Sequence, residues 1–259
     1  MIDLSLFDLV LVYSLILLSV VLVRSNGPGE ERALLIASLR MVVQLLLVGY
    51  ALHLIFAFES ALPVLAVLLL MGGVAVHTVV GRVKLRMPHL YRIVSTALLV
   101  GCGGSTLFFC HLVIGLDPWY DPRYLIPLSG MIFGNSMTGA SLAAERLAEE
   151  IRARRDEIET ALCLGATARQ ACGDALKNAF NAALIPTVNA MAAMGIVFLP
   201  GMMTGQILSG TEPMIAVKYQ IAIMCVITGS VAVTSFLILL QGYRAFFTPH
   251  EQLRNIDEL

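Results

Sequence analysis

The feature that most constrains this chain is where its charges are missing. Runs of roughly 18–25 residues carry almost none, and each could cross a hydrocarbon core of about 30 Å as a helix. Helix is the required solution, because lipid offers no partner to an open backbone N–H or C=O. Only 14% of the 259 residues are charged, where a soluble domain carries about a quarter. An all-α, polytopic membrane protein follows, one domain over residues 1–259, with the lipid bilayer as a partner. The net charge of −1 carries no message about nucleic acid, and none is expected among the partners.

Seven spans are expected, at about 5–23, 33–57, 61–80, 93–116, 124–144, 179–209 and 218–241. Pro186, Pro200 and Gly201 interrupt the sixth, which reads either as a full crossing or as a span followed by a re-entrant or extracytoplasmic turn at LPGMMTGQILSGTEP (199–213). The first residues lack a basic segment and a cleavage site, so they read as a retained span rather than a signal peptide. Orientation follows from Lys and Arg in the loops. Arg24 and Arg32 follow span one, and Arg82, Lys84, Arg86 and Arg92 follow span three. Arg146, Arg152, Arg154, Arg155, Arg169 and Lys177 follow span five, and Arg244 and Arg254 lie in the tail. These are 14 of the chain's 17 basic residues, which puts the N-terminus outside and the C-terminus in the cytoplasm. The expected location is the cell inner (plasma) membrane.

Between spans five and six lies the largest polar feature. Glu145 to Lys177 holds 13 of the chain's 35 charged residues. Leu147, Ile151, Ile158 and Leu162 recur at helical spacing within it, a narrow apolar stripe on a charged helix. Glu150 stands four before Arg154, which supports the helix modestly. The span-five helix is expected to continue into the cytoplasm and to stop at Gly165. Thr167 would cap a second helix from Ala168 to Lys177. The product is a helical hairpin held beneath the membrane.

Here the residues carry a resemblance. ETALCLGA (159–166) resembles the EAA-type motif of ATP-binding-cassette (ABC) transporter permeases, with Glu159, Ala161 and Gly165 in register and Thr160 where alanine is usual. LGATARQA (164–171) is similar to a turn found in other permease classes. Over nearly the whole chain, RMVVQLLLVGY (40–50), GMIFGNSMTGASLAAERL (130–147) and LPGMMTGQILSGTEPMIAVKYQ (199–220) resemble the Fet-type iron-export permeases and their plant aluminium-tolerance relatives. The resemblance implies a permease homodimer working with a separate cytoplasmic ABC ATPase subunit, which would bind the ATP and Mg. It further implies that the loop is a coupling helix, with Glu159, Ala161, Leu164, Gly165 and Thr167 meeting the ATPase. The chain has no G-x-x-x-x-G-K-[ST] phosphate loop, so no cofactor is expected in it, and energy would come from a partner or an ion gradient.

Polar residues inside spans are candidates for a translocation path. Arg40 and Gln44 stand four apart on one face of span two, where Arg40 either faces protein or water or snorkels to the headgroups. Asn135, Ser136, Thr138 and Asn189 lie beside small residues, which fits close helix packing or a path lining. Met131, Met137, Met202 and Met203 are soft metal ligands by type, though methionine in apolar runs usually fills core. His77 and His111 read as satisfied core histidines. Asp117, Asp121 and Glu212 read as solvated loop charges. The five cysteines show no metal-ligand spacing and read as free thiols or small apolar residues. No Asp or Glu occupies mid-span, so no hard oxygen cage for bare iron can be read, and iron enters only through the resemblance. No HExxH, GxSxG or paired carboxylate points to an enzyme.

The expectation is therefore a non-enzymatic ABC permease subunit exporting iron or another metal. The alternatives are a permease for an organic solute such as a nucleotide sugar, a partnerless secondary transporter, or a membrane scaffold.

Overall fold

The computed structural model describes residues 5–26, 31–57, 60–83, 89–248 and 250–254. Among these the chain is all-helical, with only two isolated bridges and no sheet. It divides into two compact units, Met1–Glu59 and Ser60–Leu259.

The first unit is a pair of helices, α1 (Leu6–Asn26) and α2 (Glu31–Ala57). Both expose leucine and valine around most of their circumference, as helices solvated by lipid do. Their polar contact is Tyr13 to Ser38, 2.9 Å apart. Ser38 spends its one proton on the Leu35 carbonyl, so Tyr13 is the donor.

The second unit begins with α3 (Ala61–Arg82), capped by Ser60, and α4 (Leu90–Ile114), in which π-helical stretches Leu99–Gly103 and Phe108–Ile114 widen the coil. Then comes α5 (Pro122–Ala153), opened by Asp121 accepting from the Arg123 N–H at 3.0 Å with Pro122 in the first turn. Asp121 is thus a helix cap and not merely a solvated charge. After α5 come α6 (Arg155–Cys163), α7 (Ala168–Ala171), α8 (Gly173–Ala193), α9 (Gly201–Leu208) and α10 (Pro213–Gly242), which ends in a 3₁₀ turn, Tyr243–Phe246.

Five described helices are both long and apolar enough to cross a membrane: α1, α2, α3, α4 and α10. The 32 residues of α5 and 21 of α8 reach about 48 and 32 Å at 1.5 Å per residue, with more small and polar side chains. Helix α5 is the hub, packed against α3, α8 and α10. Its inner face reads Ser129, Ile132, Ser136, Gly139, Ala143, Leu147 and Ile151, all buried at steps of three and four. Small residues there let backbones approach where lipid supplies no hydrophobic drive. A Cβ on Gly139 would sit 2.6 Å from Val231 Cγ1 of α10 and 3.4 Å from the Ala183 carbonyl of α8. The contact requires glycine.

Three expected boundaries move. The sixth span does not run to 209: α8 stops at Ala193, Gly195 takes a left-handed conformation (φ 83°), and its N–H bonds the Phe198 carbonyl at 2.9 Å. The eight residues of α9 reach only about 12 Å, too short to cross. The helix beyond span five breaks at Arg154 (φ −108°, ψ 24°), so α6 is a separate element. The helix after Thr167 breaks at Cys172 (φ −92°, ψ 7°) and does not run unbroken to Lys177.

Candidate functional site

The charged segment after α5 folds into a braced hairpin. Leu147, Ile151 and Ile158 of the expected apolar stripe are fully buried, and Leu162 is half-buried. Burial of that stripe seats α6 against the body of the protein. Beyond the expected span 124–144, Glu150 forms a polar clasp. Its carboxylate accepts from Asn178 Nδ2 at 3.0 Å and pairs with Arg146 at 2.7 Å and Arg154 at 3.2 Å. The Asn178 hydrogen bond, with the two guanidinium groups, outweighs burial and holds the Glu150 carboxyl below the usual carboxylate range. Arg154 also reaches Asp174, at 3.5 Å, so the end of α5 is tied to the start of α8.

The turn between α6 and α7 is closed at both ends. Gly165 is left-handed (φ 91°), its N–H bonds the Leu162 carbonyl, and the Ala166 N–H bonds the Ala161 carbonyl, each at 3.0 Å. That pair of bonds is a Schellman termination, and the positive φ is why glycine stands there. Thr167 and Gln170 form a reciprocal capping box that starts α7. Between these two fixed ends Leu164 projects with 84% of its surface exposed. Glu159 pairs with Arg155 Nε at 2.9 Å on the same hairpin, and Ala161 is half-buried beneath it. The structure thus gathers Glu159, Ala161, Leu164, Gly165 and Thr167 into one surface feature.

Beside this turn lies a segment the sequence reading passed over. Phe246 and Phe247 are buried, and the chain after them turns back in a short hairpin held by the Phe247–Leu253 bridge. Arg254 locks it, donating from its backbone N–H to the Phe246 carbonyl at 2.8 Å and from Nε to the Phe247 carbonyl at 3.0 Å. Glu251 at its bend accepts from the Ala168 N–H, the first of α7, at 3.1 Å. A recess of about 550 Å³ opens between hairpin and turn, lined by Glu159, Leu162, Gly165, Ala166, Glu251 and Leu253 among others. The aromatic pair directly after the last span was the available signal.

The candidate path residues separate into two groups. Ser136 is wholly buried and lies 2.8 Å from Ser230, which donates to the Gly101 carbonyl at 3.1 Å. It joins α5 to α10 and α4, a packing role rather than a lining one. Asn135 is exposed, one amide hydrogen folded back on the Met131 carbonyl at 2.8 Å, and Asn189 is exposed on α8. Arg40 and Gln44 do share one exposed face of α2, with Ala33, Ala37 and Leu45. Met131, Met137, Met202 and Met203 are half-buried and divided between α5 and α9. Among the described residues no three of His, Cys, Asp and Glu converge.

Two further expectations change. His77 and His111 are not core residues: both are exposed, His77 3.4 Å from the Tyr91 hydroxyl and His111 on an apolar cavity of about 670 Å³ between α3, α4 and α5. Gly103 and Thr106 of α4 are among its lining residues. Methionine sulfur lies between α8 and α10: Gln220 Nε2 donates to Met194 Sδ at 3.8 Å, and Thr228 Oγ1, which donates to the Met224 carbonyl at 2.8 Å, sits 3.3 Å from Met191 Sδ. All five cysteines are free thiols, as expected.

A polytopic helical membrane protein with one braced surface hairpin is the class that this architecture defines. The family model described as Uncharacterised protein family (UPF0014) matches residues 6–247, and the chain belongs to that family. It is 40% identical over 235 residues, 91% of each chain, to UPF0014 membrane protein slr1647 of Synechocystis. It is 32% identical to Protein ALUMINUM SENSITIVE 3 of Arabidopsis thaliana, covering 92% of this chain and 86% of that one. It is 28% identical to the Probable iron export permease protein FetB of Escherichia coli, covering 95% and 93%. The likeness read from residues 40–50, 130–147 and 199–220 is thereby borne out at the level of family. No solved structure matches.

Proposed function

We propose that this chain is the permease subunit of an ABC transporter, exporting iron or another metal from the cytoplasm. The observation that carries the reading is the α6–α7 turn. An apolar tip, Leu164, stands 84% exposed on a backbone fixed by a Schellman termination and a capping box, and the Glu150 clasp ties its base to α8. A leucine presented on so rigid a frame is preorganised to enter a partner's groove. The iron assignment is supported by the relative named as a probable iron export permease and by nothing in the residues themselves.

In this reading the N-terminus faces out, the C-terminus and the hairpin face the cytoplasm, and the chain resides in the cell inner membrane. Two copies form the path, with Asn135 and Asn189 as its polar lining. A separate ATPase binds ATP and Mg and seats Glu159, Ala161, Leu164, Gly165 and Thr167 in a groove. Closure of the ATPases moves the hairpin, and the clasp passes that motion to α5 and α8. The permease does no bond chemistry itself. The test is transport in inverted vesicles containing the permease and an ABC ATPase that co-purifies with it. ATP-dependent uptake of radioactive iron is the expected result; a failure to move iron while another solute is carried would remove the iron assignment.

A further inference from the structure

We infer that the partner's landing surface is composite: the α6–α7 turn together with the C-terminal hairpin from Phe247 to Arg254, and that Glu251 is its positioning residue. This builds on the ATPase role proposed above and adds a second element to it. The physical need begins at α7. The first N–H groups of a helix lack partners within it. Thr167 answers the Gln170 N–H, and Glu251 answers that of Ala168 at 3.1 Å from another part of the chain. The turn that carries Leu164 is therefore held from both sides, by Glu150 through α5 and by Glu251 through the tail.

The hairpin is built to keep that carboxylate in place. Glu251 adopts φ 57°, a left-handed backbone that a non-glycine residue takes only at a cost. The Phe247–Leu253 bridge and the two Arg254 bonds to the Phe246 and Phe247 carbonyls fix the bend on which it sits. Only one Glu251 oxygen is used by Ala168, and the residue makes no ion pair among the described residues. Glu159 faces the same recess with its charge partly met by Arg155, and His250 lines it as well. The recess is thus acidic at its rim, with Leu162 and Leu253 in its wall and exposed Leu164 next to it. The partner that fits offers an apolar socket for Leu164 and, beside it, a lysine or arginine that enters the recess toward Glu251.

The test uses the full-length permease in detergent and an ABC ATPase subunit from the same cell that co-purifies with it, with affinity and permease-stimulated ATP hydrolysis measured at low and raised salt. Glu251→Gln keeps an acceptor for the Ala168 N–H and loses the charge. Glu251→Gly relaxes the backbone and loses both. Leu164→Arg blocks the turn itself. We expect Glu251→Gly to weaken ATPase binding about tenfold or more and Glu251→Gln to weaken it less, with a flatter salt dependence than wild type. Protection of Arg254 from trypsin in Glu251→Gly equal to that in wild type would show that the hairpin still folds. Loss of binding in Leu164→Arg with Glu251→Gly within about twofold of wild type would overturn the composite surface and leave the turn as the sole contact. Wild-type binding by all three variants, or no binding by wild type, would overturn the ATPase reading with it.

Discussion

Replacing Glu150 tests whether the hairpin is braced as a unit with the membrane body. Its side chain is 9% exposed and has three partners. The Asn178 hydrogen bond to a charged acceptor is worth about 1.5–3 kcal/mol. The side chains of Arg146 and Arg154 are 49% and 34% exposed, so each ion pair is screened and adds about 0.2–1 kcal/mol. Glu150→Ala should therefore cost about 2–4 kcal/mol, because the arginines can turn to water while the Asn178 amide loses its acceptor. Glu150→Gln keeps that acceptor and should cost about half as much. At about 2–4 °C per kcal/mol for a chain of this length, the melting point of Glu150→Ala in mild detergent should fall by roughly 5–15 °C. The sign with pH follows from the lowered carboxyl pKa: the folded state binds this proton less readily than the unfolded state. The stabilisation is full at neutral pH and fades as pH falls from the ordinary carboxylate range through the lowered value. The gap between wild type and Glu150→Gln should narrow as pH falls through the ordinary carboxylate range and close only below the lowered value. Trypsin should also cut sooner at Arg154 and Arg155 in the variant. A Glu150→Ala protein that melts with wild type, or a gap constant with pH, would refute the clasp.

Three further predictions follow from single residues. Gly101→Ala should destabilise by about 1–3 kcal/mol or more, because its Cβ would collide with the Thr234 side chain and meet the Thr234 N at 3.1 Å; Gly103→Ala, with nothing within 4 Å, should be neutral or stabilising, as paired melting curves would show. Exposed Cys163 should react with a charged maleimide at neutral pH in the folded protein, whereas Cys172, buried and with its thiol pushed up to about 12, should react only on unfolding, read by mass spectrometry of tryptic peptides. Gly165→Pro and Glu159→Arg should abolish co-purification of the ATPase with little effect on membrane insertion; normal co-purification of both would contradict the docking role of the turn.

Elements written in local sequence were readable, and those made by distant residues were not. Charge-free runs located α1, α2, α3, α4 and α10, and Gly165 and Thr167 announced a turn whose two closures the structure contains. The same local logic failed at Arg154, where the helix breaks without glycine or proline, and at Cys172, where the adjacent Gly173 was a signal the reading passed over. At α8 the stop signal was present in Gly195, but the apolar run through Leu199 masked it. The Glu150–Asn178 bond joins residues 28 apart, Ser136–Ser230 joins residues 94 apart, and Glu251 reaches Ala168 from 83 residues away. No periodicity encodes such pairs; they exist because buried polar groups must find partners once the helices have packed. His77 and His111 misled for a related reason: an apolar neighbourhood in sequence does not say whether a side chain is covered, and His77 lies exposed beside Tyr91 while His111 opens on a cavity.

The most direct test of the central claim uses the thiol already at the tip of the hairpin. Cys163 is exposed next to Leu164, while Cys102, Cys110 and Cys172 are buried, so replacing exposed Cys225 with alanine leaves one addressable position. A photoactivatable maleimide placed there, in membranes holding both subunits, should cross-link the permease to the ABC ATPase on illumination, and Leu164→Arg should abolish the adduct. An ATPase that co-purifies with the permease yet never cross-links from Cys163 would mean that energy enters this protein somewhere other than the α6–α7 turn.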